Sequence, residues 1–482
     1  MKLDQILNKA ISEFKKRNFK EAEQIFRNYI KLYPNHILTY TYLIPCLINE
    51  NKLDDALSYA KKFYNLDTKI ETGLTYIGII LFKKSLYEES LKYFQDSLKI
   101  NENNYHTLLN IGVLLHKLNR NDEAKIHIKK SIEINNQNFM SYHNLGTIYE
   151  DEADFENAKN NFIKAISINP NDYESVHGLS LIQLSELDYK NGWKNYESRF
   201  LISPEKNKSK HVNIPRLKSL ENLDKKKILV WHEQGLGDTI QFSRYVDELI
   251  SLGPKITFEI QSELKSFMSR QFNCIITEDT GSEIYDFQIP LLSLPYLFYK
   301  SDKYIPKITN FLEPNIKKID EWKSNLSLSK EKINIGISIS GNPKHTKDNR
   351  RRIGIKNFLK FKKFSRLFVI QKELYKEDEM VLKNDEDIVF LGKHDKWKDF
   401  EDTSAIVENM DFIISIDTSL IHLAGSMNKK SMLLLSKPAD WRWTEDNNTT
   451  PNWYDSIKIL RQKKVGSWES VIKEALEEVE NY

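Results

Sequence analysis

The stretch FMSYHNLGTIYEDEADFENAKNNFIKAISINPND, Phe139 to Asp172, reads as two helical runs joined by an acidic turn. It is one unit of a longer pattern. Cutting the chain every 34 residues from Leu3 gives six consecutive segments without a gap. A small residue recurs in the second half of each, at Ala22, Ala56, Ser90, Ala124, Ala158 and Gly192. Four residues later come Phe26, Ala60, Phe94, Ile128, Phe162 and Tyr196. A fixed period of this length predicts stacked supersecondary units, because one unit cannot bury its own apolar face. Each unit is expected to be a pair of antiparallel helices that approach closely at the small residues. The array is expected over residues 1–206.

The quoted unit resembles the tetratricopeptide repeat: Tyr142, Leu145, Gly146, Tyr149, Ala158, Phe162, Ala165 and Pro170 all fall where that motif wants them. The resemblance implies a superhelix with a groove for an extended peptide or a partner protein. Asn110 and Asn144 share one position in units four and five and could hydrogen-bond a peptide backbone there, although Asn is ordinary at that position. Pro45 falls inside the first helix of unit two, where a kink or a shortened helix is expected.

Beyond the array, residues 207–227 lack either periodicity and read as a linker. The pattern then alternates between short β-rich runs and helical stretches. Candidate strands are ILVWHE, KITFEI, CIITE, INIGISIS, LFVIQ, IVFLG, FIISID and SMLLLS. Such alternation predicts parallel sheets flanked by helices. Two blocks are expected, 228–325 and 326–482, with a ligand cleft at their strand C-termini.

Three of those strand ends carry chemistry. In WHEQGLGDTIQFSRY, Trp231 to Tyr245, Gly235 and Gly237 allow a tight turn and close backbone approach to a ligand, and Asp238 falls at a helix N-terminus. The bland reading of Asp238 is an N-cap. In SGNPKHTKDNRRRIG, Ser340 to Gly354, a crowd of Lys and Arg including Lys347 and Arg351 could neutralise a diphosphate, or could simply be a solvated charge run. In IISIDTSLIHLAGSM, Ile413 to Met427, a buried strand ends on Asp417 and Thr418 and a helix opens at once. Thr418 and Ser419 could hydrogen-bond phosphate oxygens at that helix start, with Asp417 accepting from sugar hydroxyls. His422, one turn in, could donate to the ligand or merely pack.

Together these motifs resemble a bacterial family in which tetratricopeptide repeats precede a heptosyltransferase-like domain, glycosyltransferase family 9. The resemblance runs through Asp402, Thr403, Ala405, Asp417, Thr418, His422, Gly425, Asp440, Trp441, Arg442, Trp443, Trp453, Tyr454, Arg461 and Gln462, and through EQGLGD and GWKNYESR. It implies a GT-B fold of two facing Rossmann-like domains and an inverting, metal-independent sugar transfer from a nucleotide-diphosphate donor, with no cofactor. Asp238 matches the family's general base; Asp440, Trp441, Arg442 and Trp443 match a loop expected at the cleft. Where related sequences tend to read Asp-Arg-x-Arg-Ser, this chain has Asp348 to Arg352, so Arg351 alone is carried over as a donor contact.

Composition narrows the alternatives. The 482 residues carry a net charge of +3, too small for a nucleic-acid footprint. Only two cysteines, Cys46 and Cys274, are present, without ligand spacing, which suits a reducing compartment. The charged N-terminal stretch is not a secretory signal, and no apolar run nears the roughly 20 residues of a membrane span. A cytoplasmic location is therefore expected. The acceptor is expected to be a protein or an envelope-glycan precursor, with the repeats holding it or a partner protein. The alternative is a catalytically silent scaffold whose transferase-like domain binds nucleotide or protein.

Overall fold

The computed structural model describes residues 3–202, 210–300, 310–341, 348–383, 385, 387–443 and 453–482. It divides into two compact units, Met1–Ser175 and Val176–Tyr482.

The first unit is built from helix pairs: Leu3–Lys15 and Phe19–Leu32 (α1, α2), Ile37–Asn49 and Leu53–Leu66 (α3, α4), Thr72–Lys83 and Tyr87–Ile100 (α5, α6), Tyr105–Lys117 and Asn121–Ile134 (α7, α8), Phe139–Asp151 and Phe155–Ile168 (α9, α10). The helix starts keep the sequence period. Ala22, Ala56, Ser90, Ala124 and Ala158 are fully buried, as the close approach of paired helices requires. Glycines on the facing helices leave no more room. A Cβ on Gly112 would lie 2.3 Å from Ile128, and one on Gly146 would lie 2.8 Å from the Phe162 ring. Small residue and large residue therefore interlock at each pair.

At Pro45 one of the two expected outcomes is ruled out. Helix α3 is not shortened at Pro45; it continues to Asn49. Proline removes the amide that would have bonded the Thr41 carbonyl, and the Tyr76 hydroxyl donates to that carbonyl at 3.0 Å instead. Asn110 and Asn144 donate to the His106 and Met140 carbonyls of their own helices, at 2.9 and 2.7 Å. In the free chain the two amides thus make local bonds.

Helix Tyr173–Ser185 (α11) spans the boundary, and in the second unit helices Tyr189–Tyr196 (α12) and Arg199–Ile202 (α13) lead into strand Lys227–Trp231 (β1). Then follow Leu236–Phe242 (α14), Arg244–Ile250 (α15), Lys255–Glu259 (β2), Ser262–Met268 (α16), Ile275–Thr277 (β3), Phe287–Pro290 (β4) and Leu294–Lys300 (α17). Next come Ile316–Asn325 (α18), Ile333–Ser338 (β5), Asp348–Arg351 (α19), Ser365–Val369 (β6), Lys376–Leu382 (α20), Ile388–Phe390 (β7) and Phe400–Glu408 (α21). Strands Phe412–Ser415 (β8), Ser431–Leu435 (β9) and Ile457–Arg461 (β10), with helices Ser419–Ser426 (α22) and Glu469–Glu480 (α23), complete the order.

The strands form two wholly parallel sheets, ordered β3-β2-β1-β4 and β10-β9-β8-β5-β6-β7. All eight candidate strands appear; β4 and β10 were not anticipated. In each sheet the order reverses beside a strand that carries a candidate motif, at β1/β4 and at β5/β8. Crevices at such reversals, outside the strand C-termini, are where open α/β sheets bind ligands.

The boundary expected at residue 206 does not hold. Trp193, on α12, is fully buried in one apolar cluster with Phe242, Tyr245, Trp441 and Trp453. Its ring meets those of Phe242 and Trp441 edge-on, at 5.7 and 5.3 Å. The sixth helix pair thus supplies core to the α/β unit. Nor are the described residues of 207–227 a free linker. Leu217, Leu220 and Leu223 are buried in the same cluster, and Arg216 pairs with Gln288 as an isolated parallel bridge beside β4. Among the described residues no helix is long and apolar enough to cross a membrane.

Candidate functional site

The first turn of α14 and the first turn of α22 stand against each other, and this contact organises the site. A Cβ on Gly237 would lie 2.9 Å from His422 Cδ2 and 3.4 Å from Ser419 Cα. Glycine is needed here for helix-to-helix approach rather than for approach to a ligand. Gly235 caps α14 in extended backbone, and its amide donates to Asp238 Oδ2 at 3.0 Å.

A cleft of about 1010 Å³ opens beside this contact. It is lined by Gly235, Gly237 and Asp238 from the first block and by Arg351, Asp417, Thr418, Ser419, His422, Asp440 and Arg442 from the second. A volume of this order is at the upper end of the range for small-molecule sites. Of the sequence candidates, Lys347 lies outside the described residues. Trp441 and Trp443 do not line the cleft: both are buried, Trp441 against Trp193 and Trp443 stacked on His422 at 5.2 Å.

Arg442 ties the two blocks together. Its buried guanidinium donates to Asp238 Oδ1, to Asp440 Oδ1 at 2.8 Å and to Gln241 Oε1 at 3.0 Å. Burial raises the Asp238 carboxyl above the usual carboxylate range, against the pull of Arg442. Both oxygens of Asp238 are therefore hydrogen-bonded, one to a backbone amide and one to a cation. This is more than the plain N-cap of the bland reading.

Asp417, with a side chain one-fifth exposed (20%), ends the strand at the cleft floor. Burial, reinforced by the nearby Asp440 charge, pushes its carboxyl up to about 6. The Arg351 guanidinium donates to the Asp417 carbonyl at 2.7 Å and to Asp348 Oδ1 at 2.9 Å, which aims it at the cleft. Arg352 points elsewhere, into Asp378 and Glu377, so the arginine run divides between site and scaffold.

Thr418 does not cap α22 with its side chain. Its hydroxyl turns back to Ser415 at 3.1 Å and Ser338 at 3.4 Å, across the ends of β8 and β5. The amides of the first turn are thus not covered by a side-chain cap. His422 is buried, held by Tyr454 at Nδ1 (3.0 Å) and kept neutral by burial, its basicity well below that of a free imidazole. It packs the turn, with Nε2 3.7 Å from Asp417.

The sequence reading missed Lys372, Gln371 and Trp397, which line the same cleft, as does Thr403 of the family-like run. Lys372 donates to the Trp397 carbonyl at 2.6 Å and lies 4.0 Å over its ring. The signal is faint. Lys372 follows β6 by three residues, a strand end like the three that carry candidate motifs.

The GWKNYESR segment proves to be the brace of the glycine turn. Arg199 grips the Glu233 carboxylate with two 2.8 Å bonds, and the Tyr196 hydroxyl accepts from Gln234. Such a bidentate, buried pair fixes orientation as well as position.

Fold and site therefore define a chain with N-terminal helical repeats and a C-terminal unit of two parallel sheets enclosing a cleft. Comparison with known proteins identifies the repeats: tetratricopeptide repeat models match residues 105–138, 141–172 and 6–36. Among curated proteins, FlbA of Caulobacter vibrioides is 21% identical over 287 residues, covering 52% of this chain. The match covers 45% of that relative, so the chain spans less than half its length. Among solved structures, the tetratricopeptide protein TTC0263 of Thermus thermophilus is 16% identical over 38% of this chain and 98% of its own, with a TM-score of 0.35. YrrB, described as a tetratricopeptide protein with an unusual peptide-binding site, is 18% identical over 37% and 93%, with a TM-score of 0.28. Similarity at this level is too low to carry an argument.

Proposed function

We propose that the C-terminal unit is a glycosyltransferase that moves a sugar from a nucleotide-diphosphate donor, with inversion, onto a protein or envelope-glycan acceptor. The observation that carries the reading is the convergence of Asp238, Asp417, Arg351, Lys372 and the uncapped start of α22 on one cleft, at the order reversals of both sheets. The α22 amides and the two cations suit a diphosphate. Asp238 is the assigned base. It takes the proton of an acceptor hydroxyl while that oxygen attacks the anomeric carbon. The bond from that carbon to the diphosphate oxygen breaks, and the diphosphate leaves with the electron pair beside Arg351. Burial makes Asp238 a stronger base than a free carboxylate, while Arg442 favours its ionised form. The repeats hold the acceptor or a partner protein.

A second reading rests on the same carboxylate. Because both Asp238 oxygens are engaged, the unit could bind nucleotide without transferring sugar and serve the repeats as a scaffold. Thermal-shift titration with ADP, GDP, UDP and CDP tests the nucleotide binding that both readings require, and an assay of sugar transfer separates them. A ligand at about a hundredfold excess over Kd stabilises the fold by about 2.7 kcal/mol. Stabilisation by one nucleotide, weakened in Asp417→Ala, supports a donor site; no response to any of the four removes the reading. Asp238→Ala is expected to abolish transfer and spare nucleotide affinity. Loss of both together would count against the base assignment.

A further inference from the structure

Away from the cleft, one junction of the repeat array carries side chains that repeat packing does not call for. His143 in α9 lies beside Asp172 and Glu174, where α11 begins, and a ligand atom from each lies within 4.8 Å of the other two. Asp172 is only 8% exposed, and its Oδ2 has no hydrogen-bond partner. That oxygen stands 3.8 Å from His143 Nδ1, and a Glu174 oxygen stands 3.7 Å from Nε2. Ser175, fully buried, meets Nδ1 at 2.9 Å. One unit earlier the same three positions are Leu109, Asn138 and Met140. There Asn138 caps α9 by accepting from the Met140 amide, and no ligand set arises. The cluster is a local departure from the repeat.

A buried carboxylate oxygen without a donor is costly unless a cation is near. With Nδ1–H donating to Ser175, Nε2 keeps its lone pair, the arrangement in which an outer hydrogen bond fixes a metal-binding histidine. Bonds of about 2.0–2.2 Å to a tetrahedral zinc place ligand atoms roughly 3.3 Å apart. With Nε2 as the ligand, the Glu174 contact at 3.7 Å needs to close by a few tenths of an ångström, and that side chain is 63% exposed; the Asp172 oxygen, which faces Nδ1 and lies within 4.8 Å of the other ligand atoms, is reached by a larger closure. One imidazole with two carboxylates suits zinc-like divalent ions over calcium or magnesium, which prefer oxygen alone. We infer that His143, Asp172 and Glu174 bind one divalent transition-metal ion of the zinc class, with its remaining coordination position open to water.

The test is calorimetric titration of the full chain with Zn²⁺, alongside Co²⁺ absorption to report the ligand set. One equivalent should bind, be removed by EDTA and raise the melting temperature of the first unit. His143→Ala and Glu174→Gln should each abolish that equivalent, and Asp172→Asn should weaken it by at least about tenfold. Glu174 is exposed, so loss in Glu174→Gln cannot come from misfolding. Absence of saturable binding, or unchanged binding in both Glu174→Gln and His143→Ala, overturns the site.

Discussion

A single methyl group measures how tightly the cleft is built. Gly237→Ala puts a Cβ against His422, which stacks on Trp443 and bonds Tyr454 and so has nowhere to go. Destabilisation of about 1–3 kcal/mol is expected, read as a fall in denaturation midpoint. Gly235→Ala, by contrast, meets only an Asp238 oxygen and should cost far less. Asp417 gives a pH signature. Its folded-state carboxyl titrates near 6, above the usual carboxylate value. Its contribution is therefore favourable at acid pH and is lost as pH rises through about 6. Asp417→Asn should raise stability at pH 7 to 8 by on the order of 2 kcal/mol or less, and leave it unchanged near pH 3. A pH series of melting curves on both proteins checks the sign. Much at this scale was legible beforehand. Asp238, Asp417 and Arg351 were marked by lying at strand ends, but the bonds of Arg442 to Asp238 and of Arg351 to the Asp417 carbonyl join distant segments and could not be.

Among the elements, α3 shows a sequence rule that is locally correct in a helix that nevertheless runs on. Pro45 does remove an amide, and the Thr41 carbonyl does lose its partner; the neighbouring Tyr76 hydroxyl replaces it. Tyr76→Phe should cost about 1 kcal/mol in chemical denaturation. In a Pro45→Ala background the cost should shrink, since the helix then supplies its own donor. Equal costs in both backgrounds would remove the Tyr76 account. The strands followed their apolar runs, while β4 was missed because FQIP is short and ends in proline, and β10 because IKILR mixes cations with apolar residues.

On the scale of the molecule, the 34-residue period and the structural boundary disagree. The period runs six times, yet the helices of the last repeat bury Trp193 and Tyr196 with Phe242 and Trp441. A fragment of residues 207–482 should lose a cooperative melt, because removing the buried Trp193 alone is worth about 3–5 kcal/mol. A fragment beginning at Asn171 should retain it. Equal behaviour of the two fragments in calorimetry would show that α12 is dispensable to the α/β core.

The sequence by itself determined the repeat period, the parallel α/β character of the remainder and the strand ends where chemistry collects. Each of these is written in local spacing, which a helix or a strand obeys wherever it lies. Tertiary structure alone decided that Arg442 joins Asp238 to Asp440, that Gly237 makes room for a histidine, and that the sixth helix pair belongs to the sheets. Those facts depend on side chains from distant parts of the chain meeting in a dry interior, where each buried charge must find a partner.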